Sequence, residues 1–181
     1  AGLVCAIGAG RRGCSVLVRE RNEQLGRKSL ISGGGRCNFT NVNAGPENYF
    51  SQNPHFCRSA LAGYPPSQFI ALVEEHRIAY HEKKLGQLFC DGSALEIVEM
   101  LWNECAAVDV DIRLGCHVLD VTKPNVFVLE TNIGRFAAES LVIASGGLSI
   151  SKLGASGFGY RVAEQFGLNR VEVRPGLVPL T

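Results

Sequence analysis

The chain has 181 residues, 46% hydrophobic and 19% charged, with 18 Lys and Arg against 17 Asp and Glu for a formal charge of +1. This composition excludes a disordered chain, and it lacks the large basic excess typical of nucleic-acid binders, so no nucleic-acid partner is expected. No apolar run is long enough to span a bilayer and no signal peptide is visible, so a cytoplasmic protein without a membrane partner is expected. The 7 cysteines form no CxxC pair and no zinc pattern; they read as reduced, mostly buried thiols, and no metal site is expected. Glycine, at 21 residues, clusters at 33–35, 146–147 and 154–159 between apolar runs. Such clusters serve sharp turns or close approach to a ligand.

Residues 1–12 predict a helix that ends at Arg11 and Arg12, with Gly13 past its C-terminus. Residues 14–19 then read as a short buried strand ending at Glu20. The glycines at 8, 10 and 13 match G-x-G-x-x-G, but a strand follows them instead of a helix, so the dinucleotide fingerprint fails its context test there. A better alignment takes Gly2 as the last glycine of a fingerprint whose earlier part is absent. Glu20 then lies 18 residues on (20 − 2), where an acid hydrogen-bonds the adenosine ribose of a dinucleotide. The alternative is that Glu20 is only a polar strand end.

The segment GRKSLISGGGRCNFTN, residues 26–41, carries the most information. Three successive glycines suit neither a helix nor a strand interior. They allow backbone N–H groups to converge into an anion-binding nest, and Arg27, Lys28 and Arg36 add positive charge around it. Ser32, Asn38, Thr40 and Asn41 add neutral hydrogen-bonding groups, so the segment reads as a pyrophosphate cradle. A flexible surface loop is the alternative. The GK[ST] ending of a phosphate-binding NTPase loop is missing.

Residues 46–66 read as irregular. Ser67 is a candidate N-cap for the helix that follows. Strands are expected around 79–83 and 87–90, flanking Gly86. Ser93 then caps a second helix with Leu95, Val98, Leu101 and Trp102 on one face. His76 and His81 stand apart and read as partly exposed structural residues. Strands at 108–114, 117–121, 125–131 and 135–145 form a meander leading into a buried strand, LVIAS, that stops at Gly146 and Gly147. A helix is expected at about 157–166, and the tail reads as extended. The fold class expected is α/β, Rossmann-like, with a parallel central sheet and a β-meander.

These segments resemble a known family. GRKSLISGGGRCNFTN, LVIASGG, KLGASGFGYRVAEQFG and RPGLVPLT, in that order, are similar to the BaiN/YhiN-type bacterial flavoproteins, described as NAD(P)/FAD-dependent, aminoacetone oxidase-like oxidoreductases with a glutathione-reductase-like FAD-binding fold. The resemblance implies a partial FAD-binding domain over residues 1–181, with the first strand, the substrate domain and the returning flavin-domain segment missing. It implies that Gly2 is the final fingerprint glycine and Glu20 the ribose-binding acid. It implies that Arg27, Lys28, Ser32, Gly33, Gly34, Arg36, Cys37 and Asn38 run along the pyrophosphate towards the flavin. It also implies that the backbone of Val118 meets the adenine and that Ala144, Ser145, Gly146 and Gly147 close over the dinucleotide. Gln87, Cys90, Ile150 and Ser151 depart from the family pattern on the substrate side.

The implied function is an FAD-dependent oxidoreductase passing hydride through the flavin, with NAD(P)H or a small molecule as donor. A non-catalytic dinucleotide-binding module and a flavin-dependent RNA-modifying enzyme are the alternatives, the balanced charge arguing against the latter. Beside Arg36, Cys37 could have a lowered pKa. Without a CxxC partner it reads as a structural residue on the flavin side. No acid or base is assigned, and a chain without the first strand is expected to hold FAD weakly.

Overall fold

The computed structural model describes residues 1–148 and 156–174. Ile150, Ser151, Gly154 and the end of the extended tail lie outside the described residues. The chain divides into two compact units, one of residues 3–115 and one of residues 1–2 with 116–181.

In the unit of residues 3–115, helix α1 (Gly2–Gly10) leads through Gly13, at φ +80°, into β1 (Leu17–Arg19). The β1 strand pairs in parallel with β5 (Asp111–Arg113), Leu17 opposite Asp111 and Arg19 opposite Arg113. Parallel pairing requires a long crossover, and here everything between residues 20 and 110 forms it. Ala6, Ile7, Cys105 and Val110 are buried together, with Val16, Val18 and Ile112 packed against them. Gly10 permits the closest approach, since a Cβ there would lie 2.6 Å from Val108 Cγ2.

A second sheet is antiparallel, in the order β2 (Asn38–Asn41), β4 (Gln87–Cys90), β3 (Tyr80–Glu82). Helices α4 (Pro66–Glu75) and α5 (Ala94–Ala106) contribute Val73, Ala94, Ile97 and Met100 to the core that also buries Cys37, Ile78 and Cys90. Two short helices, α2 (Arg27–Ile31) and α3 (Arg58–Gly63), complete the unit. Pro65, not Ser67, is the N-cap of α4, because Pro66 takes the first helical position, where its missing N–H costs nothing and its ring presets φ. Ser93 caps α5 as expected: its Oγ accepts from Leu95 N at 3.1 Å, and Glu96 Oε1 accepts from Ser93 N at 2.7 Å.

The buried face of α5 differs from the expected one. Ala94, Ile97, Val98, Met100 and Cys105 are buried, whereas Leu95 and Trp102 are exposed. The helix touches two cores, Ile97 and Met100 in one and Cys105 in the other, so its inner face turns away from Leu95 and Trp102.

In the unit of residues 1–2 and 116–181, β6 (Val118–Thr122), β7 (Phe127–Thr131) and β8 (Gly134–Ala138) form an antiparallel meander. Helix α6 (Phe158–Gln165) buries Val162 against Val121 and Leu129, and Gln165 Nε2 donates to Val121 O at 2.6 Å. The strand expected to run from 135 to 145 ends at Ala138. Residues 141–145 join no sheet among the described residues, and Val142 and Ile143 are 62% and 40% exposed. An apolar run becomes a strand only when a neighbour satisfies its N–H and C=O groups.

Candidate functional site

Glu20 lies at the end of β1, its backbone N–H donating to Arg113 O at 3.0 Å. Its carboxylate is held in place by Asn22, a residue the sequence reading passed over. The backbone N and the Nδ2 of Asn22 both donate to Glu20 Oε1, at 2.8 and 2.7 Å. Both bonds use Oε1, which leaves Oε2 for a further donor. Asn22 Oδ1 in turn accepts from Arg27 Nη1 at 2.9 Å. One amide thus links the expected ribose acid to the first cation of the expected pyrophosphate segment. The signal was present as an Asn two residues past a strand-end acid, a common place for a side chain to bond nearby backbone.

Residues 26–41 are more ordered than a loop. Arg27 and Lys28 open α2, while Ser32 Oγ donates to Ser29 O at 2.8 Å and ends it. Gly33, Gly34 and Gly35 then follow in left-handed conformation, at φ +59°, +69° and +89°. Gly33 admits no side chain, because a Cβ would lie 2.5 Å from the Phe89 ring. Gly34 has nothing within 4 Å of that position. Asn38 begins β2 opposite Phe89, and Arg36 O accepts from Cys90 N at 2.9 Å.

The segment reads from sequence as a pyrophosphate cradle; in the structure the inner side of the bend is filled by Phe89, and Gly33, Gly34 and Arg36 are exposed. Two shallow recesses among the described residues lie elsewhere, lined by Leu25, Leu95, Val98 and Trp102 and by Trp102, Ala106, Val110 and Ile112. The Cys37 thiol is not acidified by its neighbour Arg36. Burial pushes its pKa up, only partly offset by a hydrogen bond with Ser32. Cys37 is a neutral, buried thiol, in keeping with the structural reading.

In the other unit, the site residues form a second group. A Cβ on Gly2 would touch Ala144 Cβ at 3.3 Å. A Cβ on Gly159 would lie 3.3 Å from Ser145 Oγ, and one on Gly147 3.2 Å from the Tyr160 hydroxyl. The segment of Ala144, Ser145, Gly146 and Gly147 is therefore seated on the start of α6, with Gly146 at φ +75°. Val118 is half-buried at the start of β6 opposite Thr131, next to a shift of register before Asp120.

Two of the four histidines are held by carboxylates: His76 Nε2 lies 2.8 Å from Glu104 Oε1, and His81 Nδ1 lies 2.6 Å from Asp91 Oδ1. The His76 hydrogen bond, then those of Arg11, hold Glu104 below the ordinary carboxylate range. No metal-binding group of His, Cys, Asp and Glu forms among the described residues. No helix among them is long and apolar enough to cross a membrane.

A parallel pair with a helix before it, a long crossover and an acid at the end of its first strand define a Rossmann-type domain. The family is specific. Residues 1–180 match the HI0933-like protein Rossmann domain, and the chain belongs to that family. It is 54% identical to the ribosomal RNA dihydrouridine synthase of Escherichia coli K12 and 48% identical to that of Haemophilus influenzae Rd, covering 100% of this chain and 46% of each relative. It is 33% identical to the 3-dehydro-bile acid delta(4,6)-reductase of Clostridium scindens, covering 99% of this chain and 44% of the relative. The chain therefore spans less than half the length of these relatives. In fold it is similar to glycine oxidase from Geobacillus kaustophilus, with a TM-score of 0.63 at 17% identity, over 93% of this chain and 56% of that one.

The two relatives named for ribosomal RNA correct the expectation that no nucleic acid takes part. A balanced total hides an uneven distribution. Residues 24–73 carry 4 Lys and Arg (27, 28, 36, 58) and 1 acid (47), a net +3, so the remainder is −2 against the whole-chain +1.

Proposed function

We propose that the chain is the cofactor-holding part of an FAD-dependent enzyme that reduces uridine in ribosomal RNA to dihydrouridine, with NAD(P)H as the electron donor. The observation that carries this is identity of 54% and 48%, over the whole chain, to two relatives of that name. The bile-acid reductase, at 33%, supports the same chemistry on a second substrate class. Both names describe adding hydrogen across a C=C bond conjugated to a carbonyl. A small enone is accordingly the second reading for the substrate.

The residues fit a flavin dinucleotide in their donor and acceptor types. Glu20, oriented by Asn22, offers a carboxylate oxygen to ribose hydroxyls and repels a 2′-phosphate. Arg27, held by the same Asn22, sets a cation for the diphosphate, with Lys28 and Arg36 near it in sequence. The glycine bend supplies an open backbone wall in place of an enclosed pocket. Gly34 in particular lets a ligand approach the main chain, because no side chain stands there. Asn38, at the start of β2, continues that wall. For the other unit, taken by itself, the resemblance assigns Gly2, Ala144, Ser145, Gly146 and Gly147 to the dinucleotide and Val118 to its adenine. Cys37, kept neutral by burial, adds no negative charge beside the diphosphate. When bound, the flavin carries the two electrons as hydride.

The test is nucleoside analysis of ribosomal RNA by mass spectrometry. Cells lacking the full-length protein are expected to lose one dihydrouridine, restored by the wild-type gene. An unchanged nucleoside profile, with flavin bleaching by NAD(P)H only in the presence of a small enone, would replace the RNA reading with the second one.

A further inference from the structure

Residues 47–56 are exposed without interruption, and they include aromatic rings. Phe50 is 95% exposed, Phe56 81% and Tyr49 51%. Large apolar rings held out in water are unusual, and a contiguous group of them marks an interaction surface. The segment is not a slack loop. Asn48 Oδ1 accepts from Gly45 N at 2.8 Å, the Cys57 thiol donates to Pro46 O at 3.9 Å, and Asn53 Oδ1 accepts from His55 N at 3.0 Å. Ser51 Oγ donates to Asn53 O at 2.6 Å, and Phe56 N donates to Asn53 O at 3.1 Å. These bonds hold the backbone so that the rings stay outside.

The chemistry around the rings selects the partner. The amides of Asn48 and Gln52 alternate with them, and Arg58 follows at the start of α3. The one acid, Glu47, folds back over Gly45, where its Oε1 would lie 2.4 Å from a Cβ. Residues 47–56 carry no Lys or Arg of their own, and Arg58 is the nearest cation in sequence. Exposed rings with amide donors and acceptors between them are what unstacked nucleobases require. The two relatives named for ribosomal RNA favour RNA over a protein as the occupant. Residues 36–46, with β2 among them, lead from the glycine bend to this loop.

Resting on the RNA reading above, we propose that Tyr49, Phe50 and Phe56 form a stacking platform for single-stranded RNA. The test uses the full-length protein and a fluorescein-labelled single-stranded oligouridylate, read by anisotropy. Phe50→Ala and Phe56→Ala should each weaken binding about tenfold, by loss of a base stack. Phe50→Trp should restore it. Flavin absorbance and the thermal transition should stay as in the wild type, and the corresponding duplex should be insensitive to all three changes. Unchanged affinity in both alanine variants would overturn the platform. So would loss of flavin or of thermal stability with unchanged RNA affinity, since the rings would then pack on protein. The two proposals fail separately: a wild type that binds the probe through these rings yet leaves ribosomal uridine unreduced sinks the function and keeps the surface.

Discussion

Helix α5 and the glycine bend lie in one unit, yet different forces shape them. The helix is specified by its own cap and by burial: Ser93 and Glu96 start it, and Ile97, Met100 and Cys105 are removed from water. The bend buries little. Its shape comes from three successive left-handed glycines, one pressed on Phe89 and the next on nothing. Burial explains why α5 exists, whereas the bend retains a conformation that packing alone would not require. That contrast separates residues placed by burial from residues that the proposed function assigns to a ligand.

The largest effect that would break the contrast is in the core. Met100→Ala should cost about 2–5 kcal/mol in chemical denaturation, with the flavin content of the folded fraction unchanged. Gly33→Ala comes next. Its Cβ would strike the Phe89 ring at 2.5 Å, so overpacking of about 1–3 kcal/mol adds to about 1–2 kcal/mol for the left-handed backbone. Gly34→Ala carries only the backbone cost of about 1 kcal/mol. If the bend serves a ligand, this variant loses flavin out of proportion to its small shift in stability, by absorbance after gel filtration; full retention would make the bend merely structural. Asn22→Ala should cost about 1 kcal/mol, one hydrogen-bonded side chain, and weaken flavin retention by freeing Glu20 and Arg27 together.

The smallest effect is a pH dependence in the core. Burial, then the nearby Cys37, pushes the Cys90 thiol from 9.0 up to about 11. A thiol whose folded pKa is raised stabilises the fold fully below its unfolded pKa and loses that contribution as pH rises through the folded one. Stability should therefore fall between about pH 9 and pH 11, and the fall should be blunted in Cys90→Ala. Thiol alkylation of the native protein should leave Cys37 and Cys90 unreacted at neutral pH.

What the sequence reveals about this molecule follows the same division. The cap at Ser93, the hairpins of β6 to β8 and the turn around Asn132 to Gly134 are local signals and appear where expected, whereas the strand expected at 108–114 pairs with β1 instead of joining the meander. The inner face of α5 and the fate of residues 141–145 depend on neighbours, which periodicity does not encode. At the candidate site, Glu20 and the glycines stand out by residue type. Asn22 does not, because its role comes from two hydrogen bonds to one carboxylate oxygen and a third to Arg27. Charge misleads for a different reason: a whole-chain sum averages away the acid-poor stretch.

Asn22 has one more bond, through its main-chain oxygen, which accepts from Gly115 N at 3.0 Å. Gly115 is the last residue of its unit, the point where the chain leaves for the other one. The residue whose side chain aims the Glu20 carboxylate therefore also fastens, through its main chain, the end of the segment after β5 to the loop after β1. Asn22 serves two tasks at once: its amide sets the direction of the acid, and its carbonyl closes the edge of the unit that carries it.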